Sequence, residues 1–93
     1  MKAIFNGETI AESNETIVIE GNHYFPPNSL KKEFFKESNT HSTCPWKGYA
    51  SYFIVEVNGT TNKDAASYYP DPSDKAKEIK DYVAFWNGVK IIE

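Results

Sequence analysis

Three Asn-Gly pairs, an abundance of aromatic residues beside a single leucine and a single helical repeat late in the chain predict a mainly β domain of short antiparallel strands with one principal helix. The pairs are Asn6-Gly7, Asn58-Gly59 and Asn87-Gly88, each flanked by strand-forming residues. A two-residue type I′ turn needs positive φ at both central positions, which Asn and Gly tolerate best. Six Phe, six Tyr and two Trp stand against one leucine, Leu30. Aromatic and β-branched side chains suit a half-buried pleated surface, whereas a helix bundle draws on Leu and Ala.

Taken in order, the first pair predicts a hairpin of residues 2–5 with 8–11. A strand over residues 16–20 ends at Gly21-Asn22. Pro26-Pro27 closes an extended segment, with Asn28 or Ser29 as the cap of a single helical turn. A short strand is expected over residues 33–36. Residues 49–57 predict the central strand, because Phe53, Val55 and Val57 fall on one face while Ala50, Tyr52 and Ile54 fall on the other. Asn58-Gly59 turns it into a partner over residues 60–69. The helix is expected over residues 73–82, after Pro70-Asp71-Pro72. Ser73 is its cap, Asp74 sits at its positive end, and Ala76, Ile79 and Val83 form its buried stripe. The last pair predicts a hairpin of residues 83–86 with 89–92.

With 93 residues the chain is sized for one domain, residues 1–93. Its net charge of −3 and the absence of arginine remove the planar fork that reads phosphate and guanine, so nucleic acid is not an expected partner. One cysteine excludes an internal disulfide and a four-cysteine zinc site, and no metal or other cofactor is expected. No run reaches membrane-spanning length, and Asn6-Gly7 interrupts the opening before a signal-peptide core could form. The expectation is a cytoplasmic protein with no membrane partner.

The segment Asn39-Thr40-His41-Ser42-Thr43-Cys44-Pro45-Trp46-Lys47-Gly48 reads as a polar loop placed before the central strand. His41 is a candidate general base there. Cys44 is a candidate nucleophile, activated by His41 or by the charge of Lys47. The plainer reading makes Cys44 a small buried hydrophobe and Pro45-Trp46 a core plug. His23-Tyr24-Phe25-Pro26-Pro27 carries the other histidine, and Asp64–Pro70 places small residues before Tyr68-Tyr69. The two histidine segments are expected to meet in a cleft lined by His23, Tyr24, His41, Cys44, Trp46, Lys47 and Tyr69.

Taken together, the opening Asn6-Gly7 turn, Glu20–Pro27, Thr40–Gly48, Lys63-Asp64-Ala65-Ala66, Tyr68-Tyr69-Pro70 and Val83-Ala84-Phe85-Trp86 are specific. The chain resembles, nearly end to end, the small bacterial domain of unknown function number four hundred and twenty-seven, also catalogued as a nucleotidyltransferase-like family nine. The resemblance implies a β-tent of two or more short antiparallel sheets, similar to methionine sulfoxide reductase B. That enzyme uses a catalytic cysteine and often a four-cysteine zinc site, and one cysteine cannot supply the latter. The family brings no activity to carry over. Asn28 and Asn39 stand where it usually has aspartates and Ser67 where it has a tryptophan, which implies a wider or more polar cleft. Three functions follow in order: a small-molecule-binding domain, a protein-interaction module, and a Cys/His-dependent enzyme using the same cleft.

Overall fold

The computed structural model describes Met1–Glu93. Nine strands form three antiparallel sheets. β1 (Lys2–Phe5), β2 (Glu8–Glu12) and β9 (Lys90–Ile92) pair in the order β2-β1-β9, and β3 (Ile17–Ile19) with β4 (Asn22–Tyr24) makes a hairpin. β5 (Phe35–Cys44), β6 (Gly48–Val57), β7 (Thr60–Tyr68) and β8 (Val83–Phe85) form the largest sheet, in chain order. The hairpin docks beside it, because Phe25 and Val83 exchange both backbone hydrogen bonds at 2.8 Å. No helix is long and apolar enough to cross a membrane.

The first two Asn-Gly pairs form the expected hairpin turns, with φ of 51° and 78° at Asn6-Gly7 and 51° and 81° at Asn58-Gly59. Asn87-Gly88 also has positive φ at both residues, 50° and 98°, but makes no hairpin. Both edges of β8 are already taken, by β7 on one side and Phe25 on the other. The chain therefore leaves the sheet, and β9 pairs with β1 instead.

Two other expectations are corrected. The principal helix is a 3₁₀ segment, Asp74–Ile79, and Val83 belongs to β8. A 3₁₀ turn brings residues three apart onto one side, so Ala76 and Ile79 are both fully buried without a longer helix. The Ser73 side chain makes no cap bond to it, and Asp81 at φ 63° turns the chain away. Secondly, the supposed loop from Asn39 to Cys44 is the second half of β5, which begins at Phe35 and runs for ten residues. It is mostly exposed because it lies at the edge of its sheet, so a polar composition is compatible with the strand. Its register breaks where Ser38–Thr40 oppose the stretch of β6 between Ser51 and Phe53.

The central strand is covered on both sides, as its two apolar faces require. On one face Val55, Val57, Ala66, Val83 and Phe85 pack with Phe25 and with Ala3, Ile10 and Ala11 of the three-stranded sheet. On the other, Ala50, Tyr69 and Ala84 pack with Tyr24, Ala76 and Ile79.

Candidate functional site

The turn between β5 and β6, Pro45-Trp46-Lys47, carries the largest departure from ordinary side-chain behaviour. Lys47 is only 7 % exposed. Its Nζ donates to Tyr24 Oη at 3.1 Å and pairs with Glu20 Oε1 at 2.8 Å. It also lies 5.6 Å from the Tyr24 ring centroid and 5.1 Å from that of Trp46. Burial opposes the ammonium charge, but the Glu20 carboxylate and Tyr24 hydroxyl outweigh it and hold Lys47 above the usual lysine range. Glu20 reaches this point from the corner of the β3–β4 hairpin, where its φ is 55°. Gly48 makes the turn possible. Its φ is 114°, and a Cβ there would lie 3.4 Å from the backbone N of Ser73 and 3.5 Å from the Cα of Pro72. Ser73 N donates to the Lys47 carbonyl at 2.9 Å, and Ser73 Oγ donates to that of Trp46.

Cys44 is half-buried at the start of the turn. Burial pushes its thiol up, yet the backbone N–H groups of Lys47 and Trp46 and the Lys47 charge outweigh burial and hold it below the ordinary thiol range. Thiolate absorbance should therefore titrate with a midpoint below 9.0. In Lys47→Met the midpoint should move upward; an unchanged midpoint would show that the ammonium contributes nothing.

Tyr24, Cys44, Trp46, Lys47 and Tyr69 thus come together, but as a packed cluster rather than an open cleft: Tyr24 is 3 % and Tyr69 8 % exposed. Neither histidine joins them. His41 pairs with Ser51 across β5 and β6, whereas Cys44 pairs with Gly48 three positions on, so strand alternation puts His41 and Cys44 on opposite faces. His41 stacks on Tyr49 with ring centroids 4.9 Å apart, and its Nδ1 is 3.3 Å from both the Ala50 carbonyl and Ser51 Oγ. His23 is on β4, its Nδ1 3.0 Å from Thr16 Oγ1, with β6, β7 and β8 lying in the order of pairing between it and β5.

Two cavities flank the large sheet, on opposite faces. The larger, about 420 Å³, has a floor of Leu30, Phe35, Phe53 and Val83, with Lys32, Glu37, Tyr68 and Asp81 supplying polar groups. The Tyr68 hydroxyl lies 2.9 and 2.7 Å from the two Glu37 carboxylate oxygens, and its ring stacks on Phe53 at 4.6 Å. The smaller, about 280 Å³, is lined by Tyr24, Tyr52, Ser67, Ala84 and Trp86 among others. Ser67 therefore does face a cavity. Asn28 is exposed in the 3₁₀ turn Pro27–Ser29, and Asn39 is exposed in the β5 bulge. Tyr68 belongs to the candidate segment Asp64–Pro70, whereas Glu37 and Asp81 carry no signal in the sequence. Their convergence depends on cross-strand register, which bulges in both β5 and β7 hide from the sequence.

Burial, with the Glu37 carboxylate adding to it, pushes Tyr68 up to about 12, and burial pushes Tyr69 up to about 12. A tyrosine whose folded pKa is raised holds its proton longer in the native state. The resulting stabilisation is complete below the unfolded value of 10.0 and is lost as pH rises through the folded one. Urea midpoints should accordingly fall steeply between pH 10 and 12, and Tyr69→Phe should flatten part of that fall.

The architecture and these sites define a small three-sheet antiparallel β domain with a buried lysine at one turn and a cavity on each face of its main sheet. The family model described as "Domain of unknown function (DUF427)" matches residues 1–92, and the chain belongs to this family. No curated protein matches the chain. No group of three or more His, Cys, Asp or Glu side chains is arranged to hold a metal ion.

Proposed function

We propose that the domain binds a small organic molecule in the cavity of about 420 Å³ on the Phe53–Tyr68 face of its main sheet. The observation that carries this reading is the pairing of an apolar floor with convergent polar groups, the usual make-up of a ligand pocket. Leu30, Phe35, Phe53 and Val83 suit an apolar body. The Glu37 carboxylate, already accepting from Tyr68, has lone pairs left for a donor on the ligand, and Asp81 adds a second carboxylate. The ligand class is thus a molecule with a hydrogen-bond-donating head and an apolar tail.

The cleft expected between the two histidines is the weaker reading, because neither cavity is lined by His23, His41, Cys44, Trp46, Lys47 or Tyr69. Opposed faces for His41 and Cys44 also remove the dyad that a thiol-dependent reaction would use.

Native mass spectrometry of protein purified from its own host tests the proposal. A retained small molecule is expected, and Glu37→Gln should weaken its binding by about tenfold through loss of a charge-assisted hydrogen bond. A protein that retains nothing and gains no thermal stability from any amphipathic amine or alcohol would overturn the reading.

A further inference from the structure

The smaller cavity, on the opposite face of the sheet, carries an inference independent of the first. Four aromatic residues line it, Tyr24, Tyr52, Phe85 and Trp86, and the three that have a polar end are each fixed at it. Trp86 is 57 % exposed, yet its Nε1 donates to the Asp64 carbonyl at 2.6 Å and its backbone N–H to the Ala65 carbonyl at 3.0 Å. Tyr52 Oη is 2.7 Å from Ser42 Oγ. Tyr24 Oη accepts from the buried Lys47. With these tips engaged elsewhere, the rings contribute carbon surface and π-faces to the groove. Its floor is small, being Ser67 and Ala84.

Two polar side chains remain available, the Ser67 hydroxyl and the Asn22 amide at the rim; neither forms a side-chain hydrogen bond within the chain. Both are uncharged, both donate and accept, and no charged residue lines the groove. An anion there would meet no cation, and an ammonium would meet no carboxylate. An exposed tryptophan usually gives up mobility only at an entropic cost, and here that cost is met before any ligand arrives.

We propose that this groove is a binding site for a flat, uncharged ring bearing an adjacent donor and acceptor, of the nicotinamide or benzamide type, stacked against Trp86 with its polar edge on Ser67 and Asn22. The volume of about 280 Å³ holds one substituted ring and not a chain of them. A ring carrying phosphate or carboxylate is disfavoured by the missing cation. Preorganised aromatic walls with neutral polar groups give recognition limited by ring shape, because stacking needs only a π-face.

The chain has two tryptophans, so its indole N–H resonances in a proton–nitrogen spectrum are two, and Trp46 serves as the internal control. Titration with millimolar nicotinamide or benzamide should shift the Trp86 signal, leave the Trp46 signal nearly still, and saturate. Benzoate and the non-planar cyclohexanecarboxamide should bind about tenfold more weakly or worse. Ser67→Trp, which fills the floor, should abolish the shift. Should that variant misfold, Trp86→Leu changes an exposed residue; line broadening of ligand protons then reports the same loss. No saturable shift with either amide, equal binding of benzoate, or undiminished binding in a folded Ser67→Trp or Trp86→Leu protein would each overturn the proposal.

Discussion

Phe25→Ala should lower the stability of the domain by about 4 kcal/mol, the cost of deleting a fully buried phenylalanine with incomplete collapse of the space it leaves. For a domain of this length that is a fall of about 20 °C in Tm. Phe25 is 0 % exposed and stands among the largest fully buried side chains. Its ring meets Phe85 edge-on, with centroids 5.4 Å apart. The same residue ties the β3–β4 hairpin to β8 through its backbone, a tie that alanine keeps. The loss is therefore one of packing, and urea melts should show a lower midpoint with an unchanged slope. A destabilisation below about 1 kcal/mol would mean that neighbouring side chains fill the space, against the close packing that cores ordinarily show.

Lys47→Ala should cost about 3 kcal/mol, combining the loss of a buried aliphatic stem with the loss of a donor to Tyr24 Oη. Lys47→Met keeps the stem, so it should cost about half as much. Glu20→Gln should cost less than about 1 kcal/mol, since the Glu20 side chain is 60 % exposed and water screens its half of the pair. This ordering places the weight on the buried partner. Thermal melts giving Glu20→Gln the larger effect would reverse it and make the hairpin corner the anchor.

Much of the strand pattern is legible in the sequence because turn chemistry is local. Asn6-Gly7 and Asn58-Gly59 announce positive φ, and their neighbours have free edges to pair. Asn87-Gly88 announces the same backbone, but which strand pairs with which depends on whether an edge is already occupied, and that is not a local property. Glu20, Asp64 and Asp81 also take positive φ without any glycine beside them that would distinguish them from ordinary strand or helix residues, except at Glu20-Gly21. The spacing of Ala76 and Ile79 fits a 3₁₀ turn as well as an α-helix, so the stripe alone could not separate them.

At the site, the convergence of Tyr24, Cys44, Trp46, Lys47 and Tyr69 matches the sequence grouping, whereas the inclusion of the histidines does not. A loop can aim His41 and Cys44 at one point. A strand cannot, because three residues of separation invert the direction of the side chain. Because residues 39–44 form a strand and not a loop, His41 and Cys44 do not form a dyad. In the sequence Lys47 stands as a charge beside the thiol and as part of the expected cleft lining, and nothing there signals its burial. Lysine is rarely buried unless paired, and its partner Glu20 is too far away in sequence to signal the pair.

The interruption in β5 bears on what this protein does in a crowded solution. β5 is the outer strand of the largest sheet, and an outer strand of ten regular residues offers a template on which another chain could grow. Here the regular pairing is divided into Phe35–Glu37 and His41–Cys44, with Ser38–Thr40 bulging between them. Ser38 Oγ donates to Asp64 Oδ1 and accepts from the Thr40 N–H, which ties the bulge down. An incoming strand would lose step after three or four residues, too few to hold it. The detour thereby favours the separate molecule over edge-to-edge aggregates, and it does so with serine, asparagine and threonine rather than with a row of charges.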